Sequence, residues 1–166
     1  MIQEQVDRMT AVLEQEAEVY RALVELSSKK QDALVAGDLE ALDGVVRAEE
    51  ALLWKAGRFE ETRQMVATEL ADLLELKDGE RTLVRLIEAV GEPRAAALRE
   101  RQGEILRSVA ELSANNETNG RLIEQALTQV RLTVGLLAKS RQAGAAYGPA
   151  GQVAVGEAPL KLDKQV

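Results

Sequence analysis

The feature that most constrains the fold is an uninterrupted helical pattern at the start of the chain. Residues 2–36 contain neither glycine nor proline. Their apolar residues recur mostly in steps of three and four, at Ile2, Val6, Met9, Leu13, Tyr20, Leu23 and Leu34. This spacing places the apolar side chains on one face of an α-helix. We therefore predict one long amphipathic helix over about 2–36.

A reversal of the chain and a second long helix follow. Gly37 can adopt the left-handed conformation that ends helices, and Asp38 can cap the next helix. The second apolar pattern then continues from Leu39 to the helix-breaking Asp78-Gly79. The sequence thus predicts an antiparallel hairpin whose second helix spans about 38–77.

Equal rise per residue in the two helices also predicts which residues face each other across the hairpin. With Gly37 at the apex, the numbers of facing residues sum to roughly 74. Tyr20 is then expected opposite Trp54, and Glu16 beside Arg58. The second pair would give a charge on the seam an opposite partner.

Two further helices are predicted on either side of Gly91. A short apolar stripe indicates a helix over about 80–90, and Pro93 suits the first turn of a last helix over about 93–142. A heptad seam runs along that helix through Leu98, Gln102, Ile105, Val109, Leu112, Asn116, Asn119, Ile123, Ala126, Val130, Thr133 and Leu137. We therefore predict an all-α protein in which residues 1–142 form an elongated helical bundle or coiled coil.

The composition changes at the end of the chain. Residues 143–166 hold four of the twelve glycines and two of the three prolines in a nearly neutral background, which predicts a flexible tail. Apolar and aromatic residues interrupt this background at Tyr147, Val153, Val155, Leu160 and Leu162. They fit a disordered terminus of ordinary composition and, equally, a segment that becomes ordered on a partner.

The groups that most enzymes need are missing from the sequence. The chain has no histidine and no cysteine, which excludes the usual general base at neutral pH and the usual zinc ligands. Neither a glycine-rich phosphate-binding loop nor a nucleophile elbow occurs. We expect no enzymatic activity and no cofactor. A metal site made of carboxylates alone is the remaining enzymatic alternative.

Charge and hydropathy limit the partners of the protein. The net charge is −7, with acidic and basic residues interleaved, so no basic stripe is available for nucleic acid. The first residues lack the pattern of a signal peptide, and no uncharged apolar stretch reaches transmembrane length. We expect a cytoplasmic protein that neither inserts into a membrane nor binds nucleic acid.

Two features of the last helix favour the binding of another protein. Asn116 and Asn119 lie on the predicted seam, where an unpaired amide would cost roughly 1–3 kcal/mol. They either hydrogen-bond across the bundle and set its register or form a polar recognition spot. The apolar face through Ile123, Val130 and Leu137 is expected to outrun the hairpin. An exposed apolar patch of this kind is typical of an interaction site.

Several short motifs follow one another along the chain. They are the segment EAEVYRALVELSSKKQDAL over residues 16–34, the Gly37-Asp38-Leu39 turn followed by Val46 and Glu49, the Asn116-x-x-Asn119 motif before Leu122-Ile123, and the Tyr147-Gly148-Pro149-x-Gly151 element. Taken in this order, they resemble the FlgN family of flagellar export chaperones. Each motif is weak alone, but their order and separations span nearly the whole chain. Residues 79–113 contribute no family-specific residue.

The resemblance implies a cytosolic chaperone for hook-associated proteins, which form the hook–filament junction. Such a chaperone binds their C-terminal helices, prevents premature assembly and delivers them to the type III export gate. By resemblance, the last helix and the tail bind the client, through Asn116, Asn119, Ile123, Ala126, Val130, Leu137, Tyr147, Val153, Val155, Leu160 and Leu162. Tyr147 is also the candidate for the export-gate contact. The alternative is a self-associating coiled-coil protein, structural or adaptor, that uses the same heptad seam.

Overall fold

The computed structural model describes the backbone of residues 1–146 and the side chains of residues 1–145. Four α-helices and one 3₁₀ turn occur: α1 (Ile2–Ala36), α2 (Leu39–Leu73), the 3₁₀ turn (Asp78–Glu80), α3 (Leu83–Val90) and α4 (Arg94–Ala146). No strand is found among these residues. The predicted all-α fold is therefore confirmed, and each predicted helix corresponds to an observed one.

The turn between α1 and α2 has the predicted capping residues. Gly37 has a φ of 67°, and the N–H groups of Gly37 and Asp38 donate to the carbonyl oxygens of Leu34 and Ala33 at 3.3 and 3.0 Å. The carboxylate of Asp38 then accepts a hydrogen bond from the N–H of Ala41 at 3.0 Å. This Schellman motif followed directly by an N-cap turns the chain back along α1 within two residues.

The end of α2 differs from the prediction, since the helix stops at Leu73 rather than near residue 77. Glu75 has a φ of 55°, and the N–H groups of Glu75 and Leu76 donate to the carbonyl oxygens of Asp72 and Ala71. The same motif that ends α1 is thus formed around a glutamate. The sequence did not reveal this end because residues with a Cβ rarely adopt the left-handed conformation.

The register of the hairpin differs from the prediction by about one helical turn. Three ion pairs join α1 to α2: Arg8–Glu69 at 2.8 Å, Glu16–Arg63 at 3.3 Å and Lys30–Glu49 at 2.5 Å. Their residue numbers sum to 77 or 79. Glu16 therefore pairs with Arg63 rather than Arg58, and Trp54, at 80% exposure, does not pack against Tyr20.

The tilt of helical side chains explains the direction of this difference. Each side chain leans toward the N-terminus of its own helix. In α1 this direction leads away from the turn, and in α2 it leads toward the turn. Side-chain tips at the same height therefore belong to residues with higher numbers than equal backbone rise predicts.

A hydrophobic core cluster with residues from all four helices lies at the end of the hairpin opposite the Gly37 turn. Its members are Val6, Met9 and Leu13 of α1, Val66, Leu70 and Ala71 of α2, Leu86, Ile87 and Val90 of α3, and Ala95 and Leu98 of α4. Thr82 caps α3 by accepting a hydrogen bond from the N–H of Arg85 at 3.3 Å. The short α3 thus joins the base of the hairpin to the start of α4.

The first part of α4 runs parallel to α1. Arg94 donates to Gln3 at 2.7 Å near the start of both helices, and Asn115 donates to Ser27 at 2.9 Å further along. Across three such side-chain pairs the residue numbers differ by 87 to 91. Because this difference stays nearly constant, α4 remains beside α1 as both helices advance.

The chain divides into two compact units, Met1–Leu122 and Ile123–Val166. The first unit holds the hairpin, α3 and the beginning of α4, and the described part of the second is the rest of α4. Residues 143–146, predicted as the start of the tail, are helical because alanines, the best helix formers, surround Gly144. None of the described helices has a stretch long and apolar enough to cross a membrane.

Candidate protein-binding surface

Asn119 is buried where α4 packs against α1. Its side chain is only 3% exposed, and its Nδ2 donates to the backbone carbonyl of Ser27 at 2.8 Å. One turn earlier, Nδ2 of Asn115 donates to Oγ of Ser27 at 2.9 Å, and that hydroxyl donates to the carbonyl of Val24 at 2.6 Å. These linked hydrogen bonds hold α4 and α1 at one register, as a polar residue on a coiled-coil seam does.

The position of Asn116 on the seam was predicted wrongly, because its side chain is exposed. The predicted seam positions Leu98, Ile105, Leu112 and Asn119 are buried or half-buried. The second row of the seam, however, follows three residues after them, at Ser108, Asn115 and Leu122, and not four residues after, at Val109, Asn116 and Ile123. At 3.6 residues per turn, a row three residues later and a row four residues later both lie next to the buried row. The hydrogen bond from Asn115 to Ser27 favours the row three residues later, which contains Asn115.

A continuous row of exposed apolar side chains lies on the second unit. We call it the α4 stripe, and it consists of Ile123, Leu127, Val130, Val134 and Leu137. Their exposed fractions range from 40% for Ile123 to 62% for Leu137. Steps of four and three residues keep the row on one face of the helix, in the pattern of a coiled-coil seam.

Two members of the α4 stripe, Leu127 and Val134, were missed in the sequence. The prediction continued the seam of the first half of α4 and therefore chose Ala126 and Thr133, both of which are also exposed. Leu127 and Val134 are larger apolar residues, and they are 49% and 53% exposed. A search for the most apolar row within residues 123–146 alone would have found them.

Basic residues accompany the α4 stripe. Residues 123–146, which include the whole stripe, carry Arg131, Lys139 and Arg141 and one acidic residue, Glu124, a net charge of +2. Residues 1–122 carry 16 basic and 25 acidic residues, a net charge of −9. Arg141 lies four residues after Leu137 and therefore continues the stripe, while Arg131 lies beside it. The α4 stripe thus lies on a positively charged segment of an acidic protein.

A buried ion pair links α1 to α2 within the first unit. Glu16 is 5% exposed, and its carboxylate accepts a hydrogen bond from Nε of Arg63 at 3.3 Å. Burial raises the pKa of Glu16, and the charge of Arg63 offsets part of that increase. Arg63 also pairs with Glu60. In residues 1–146 no group of three or more acidic side chains is arranged to hold a metal ion.

The other predicted site residues are Tyr147, Val153, Val155, Leu160 and Leu162, and they lie outside the described residues. The described part of the predicted site therefore separates into two environments. Asn119 is engaged with α1, whereas Asn116, Ile123, Ala126, Val130 and Leu137 are all exposed.

Comparison with known families supports the resemblance found in the sequence. Residues 1–154 match the family model described as FlgN protein, so the match includes α1 to α4 and the α4 stripe. Neither the curated proteins nor the solved structures give a match. Because the family model covers most of the chain, the protein belongs to the FlgN family, and its role is of the flagellar export chaperone kind.

Proposed function

We propose that this protein binds the C-terminal helices of hook-associated proteins in the cytoplasm and delivers them to the type III export gate. The α4 stripe is the observation that supports this proposal, since it offers five apolar side chains, each at least 40% exposed, on one helical face. An amphipathic helix suits such a row, because its own apolar residues can interdigitate with the stripe.

Chaperone action of this kind needs no chemical step. The apolar face of a client's terminal helix favours self-association until the client is assembled, and covering that face prevents premature assembly. Each stripe residue is about half exposed, so its burial stabilises a complex by about 1 kcal/mol before the cost of association. A complex held in this way is weak enough to release its client at the gate.

The charges of the second unit indicate which helices bind best. Arg131 and Arg141 flank or extend the stripe, and residues 123–146 carry a net charge of +2. Complementary charges increase the association rate and select the orientation of a partner. We therefore expect the client helix to carry acidic residues beside its apolar row.

The residues after α4 extend the proposed surface. Tyr147, Val153, Val155, Leu160 and Leu162 are proposed to contact the client in addition to the stripe, and Tyr147 is also proposed to contact the export gate. Of the two asparagines, the exposed Asn116 is free to contact a client, whereas Asn119 is proposed to act by holding α4 in place.

The proposal is tested by titrating the protein with a peptide that contains the C-terminal helix of a hook-associated protein. Val130→Glu and Leu137→Glu place a charge on the stripe and are expected to weaken binding at least about tenfold each. Leu132→Glu is the matched control, because Leu132 is 64% exposed on the opposite side of the same helix. Equal affinities for all four proteins would refute the proposal.

Self-association through the α4 stripe is the second candidate function. The alternating steps of four and three residues are those of a coiled-coil seam and favour this candidate. It predicts a concentration-dependent increase in mass by light scattering that Val130→Glu abolishes. A mass that Val130→Glu leaves unchanged would exclude it.

A further inference from the structure

A second exposed surface lies on α2, within the first unit. It contains the single tryptophan of the chain, Trp54, which is 80% exposed, and Leu53, which is 59% exposed. A groove of about 350 Å³ is lined there by Glu50, Leu53, Trp54, Gly57, Arg58 and Glu61. All of these lining residues belong to α2, so no other helix of the first unit contributes to the groove.

Four of the charges on this face are arranged symmetrically about Trp54, whereas Asp43, which pairs with Arg47 at 2.9 Å, has no charged counterpart. Arg47 and Glu61 are each seven residues from Trp54, and Glu50 and Arg58 are each four residues from it. In both pairs one side chain is basic and the other acidic, and all four are exposed. The steps of three, four, four and three residues keep them on one face of the helix.

We propose that a second copy of this protein docks on this face, with the two α2 helices antiparallel and the two Trp54 side chains at the two-fold axis. Arg47 of one protomer then faces Glu61 of its partner, and Glu50 faces Arg58. Two-fold symmetry repeats both contacts, so four ion pairs form. A parallel arrangement would instead place each charge against its own copy, which is unfavourable.

The spacing along the helix allows all of these contacts. Arg47 and Glu61 lie about 10 Å from the crossing point along the helix axis. A crossing angle of about 20° moves them sideways by only about 4 Å, which arginine and glutamate side chains can span. Ala51 and Gly57 flank Trp54, and a Cβ added at Gly57 would meet no atom within 4 Å. The partner's indole therefore has space beside each tryptophan.

The tryptophan and the charges contribute differently to this dimer. Tryptophan is typical of the few residues that dominate binding at protein interfaces. Exposed ion pairs contribute little affinity each, but a wrong orientation brings like charges together. Burial of Trp54 thus supplies most of the affinity, while the four charges select the antiparallel orientation. No residue of the α4 stripe takes part.

Fluorescence of Trp54 measures this association directly, because the chain has no other tryptophan. As the full-length protein is diluted from about 1 mM to about 1 μM, we expect the emission maximum to shift to longer wavelength. Sedimentation equilibrium should show the mass falling from dimer to monomer over the same range. A constant monomer mass with a constant emission maximum would overturn the proposal.

Charge reversal tests the orientation. Glu50→Arg and Arg58→Glu each bring like charges together twice in the dimer, and each is expected to raise the dissociation constant about tenfold. The double variant re-forms both ion pairs with reversed polarity and is expected to restore the original value to within about threefold. Arg85→Glu and Glu88→Arg on α3 make the same changes in net charge and should leave the dimer unaffected.

Trp54→Ala is the remaining test. Because Trp54 is exposed in the monomer, this variant is expected to keep its helical circular dichroism. At about 1 μM, where wild type is monomeric, it is also expected to keep the thermal unfolding temperature of wild type. Its dissociation constant should rise by at least about tenfold. A dimer that survives Trp54→Ala, or a charge-reversed double variant as weak as the single variants, would overturn the antiparallel α2 interface.

Discussion

Glu16 shows how burial and charge oppose each other at a single residue. Its carboxylate is buried between α1 and α2, where loss of water disfavours the ionised form. Arg63 at 3.3 Å favours the ionised form, but the pKa of Glu16 is still raised above its ordinary value. The ion pair therefore offsets only part of the cost of burying the acid.

The raised pKa of Glu16 predicts a pH dependence of stability. The folded state binds the proton more tightly than the unfolded state, so this group's contribution to the free energy of unfolding is fully present below the ordinary pKa of 4.5. It is lost as the pH rises through the raised pKa. Urea unfolding of wild type and Glu16→Gln from about pH 4 to pH 7 measures this loss. We expect the stability of wild type relative to Glu16→Gln to decrease with pH, and an increase would contradict this explanation.

The two asparagines of the family motif have different surroundings although they are three residues apart. Asn119 donates to the carbonyl of Ser27 in a buried position, whereas Asn116 is exposed. Their contributions to stability should therefore differ, because only a buried hydrogen bond leaves an unsatisfied group when it is removed.

Single alanine substitutions test this difference. Asn119→Ala is expected to lower the free energy of unfolding by about 1–2 kcal/mol, and Asn116→Ala to change it by less than about 0.5 kcal/mol. Chemical denaturation monitored by circular dichroism measures both values. Equal losses would show that Asn116 also packs against the rest of the protein.

At the level of the helices, hydrophobic periodicity and capping residues predicted most of the fold. The apolar pattern of residues 2–36 and the Gly37-Asp38 turn predicted α1 and the reversal, and both are observed. The end of α2 was predicted wrongly, because Glu75 takes the left-handed conformation without a glycine. Local sequence signals therefore located the helices but not every end.

The relations between helices were harder to predict, because they depend on side-chain direction and on the partner surface. Equal backbone rise placed Arg58 beside Glu16, but the lean of the side chains selects Arg63. In α4, helical spacing permits a second seam row that contains either Asn115 or Asn116. The row with Asn115 is formed because Asn115 hydrogen-bonds to Ser27 of α1. The sequence of α4 alone therefore does not identify the second row of the seam.

At the level of the whole molecule, apolar surface and charge are distributed unevenly. Residues 1–122 form the acidic part of the chain and contain the core cluster, while the described part of the second unit is basic and carries the α4 stripe. Ile123, Val130 and Leu137 of the stripe were predicted from the sequence. The α2 face around Trp54 was not, because the assumed register placed Trp54 inside the hairpin.

Hydrogen exchange of the full-length protein, with and without a C-terminal fragment of a hook-associated protein, tests the central claim most directly. Binding to the α4 stripe suppresses local opening of that part of the helix. Slower exchange is therefore expected in peptides from residues 123–146, with little change in α1, α2 and α3. Protection confined to residues 1–122, or no protection despite a measured complex, would contradict the assignment of the α4 stripe as the client-binding surface.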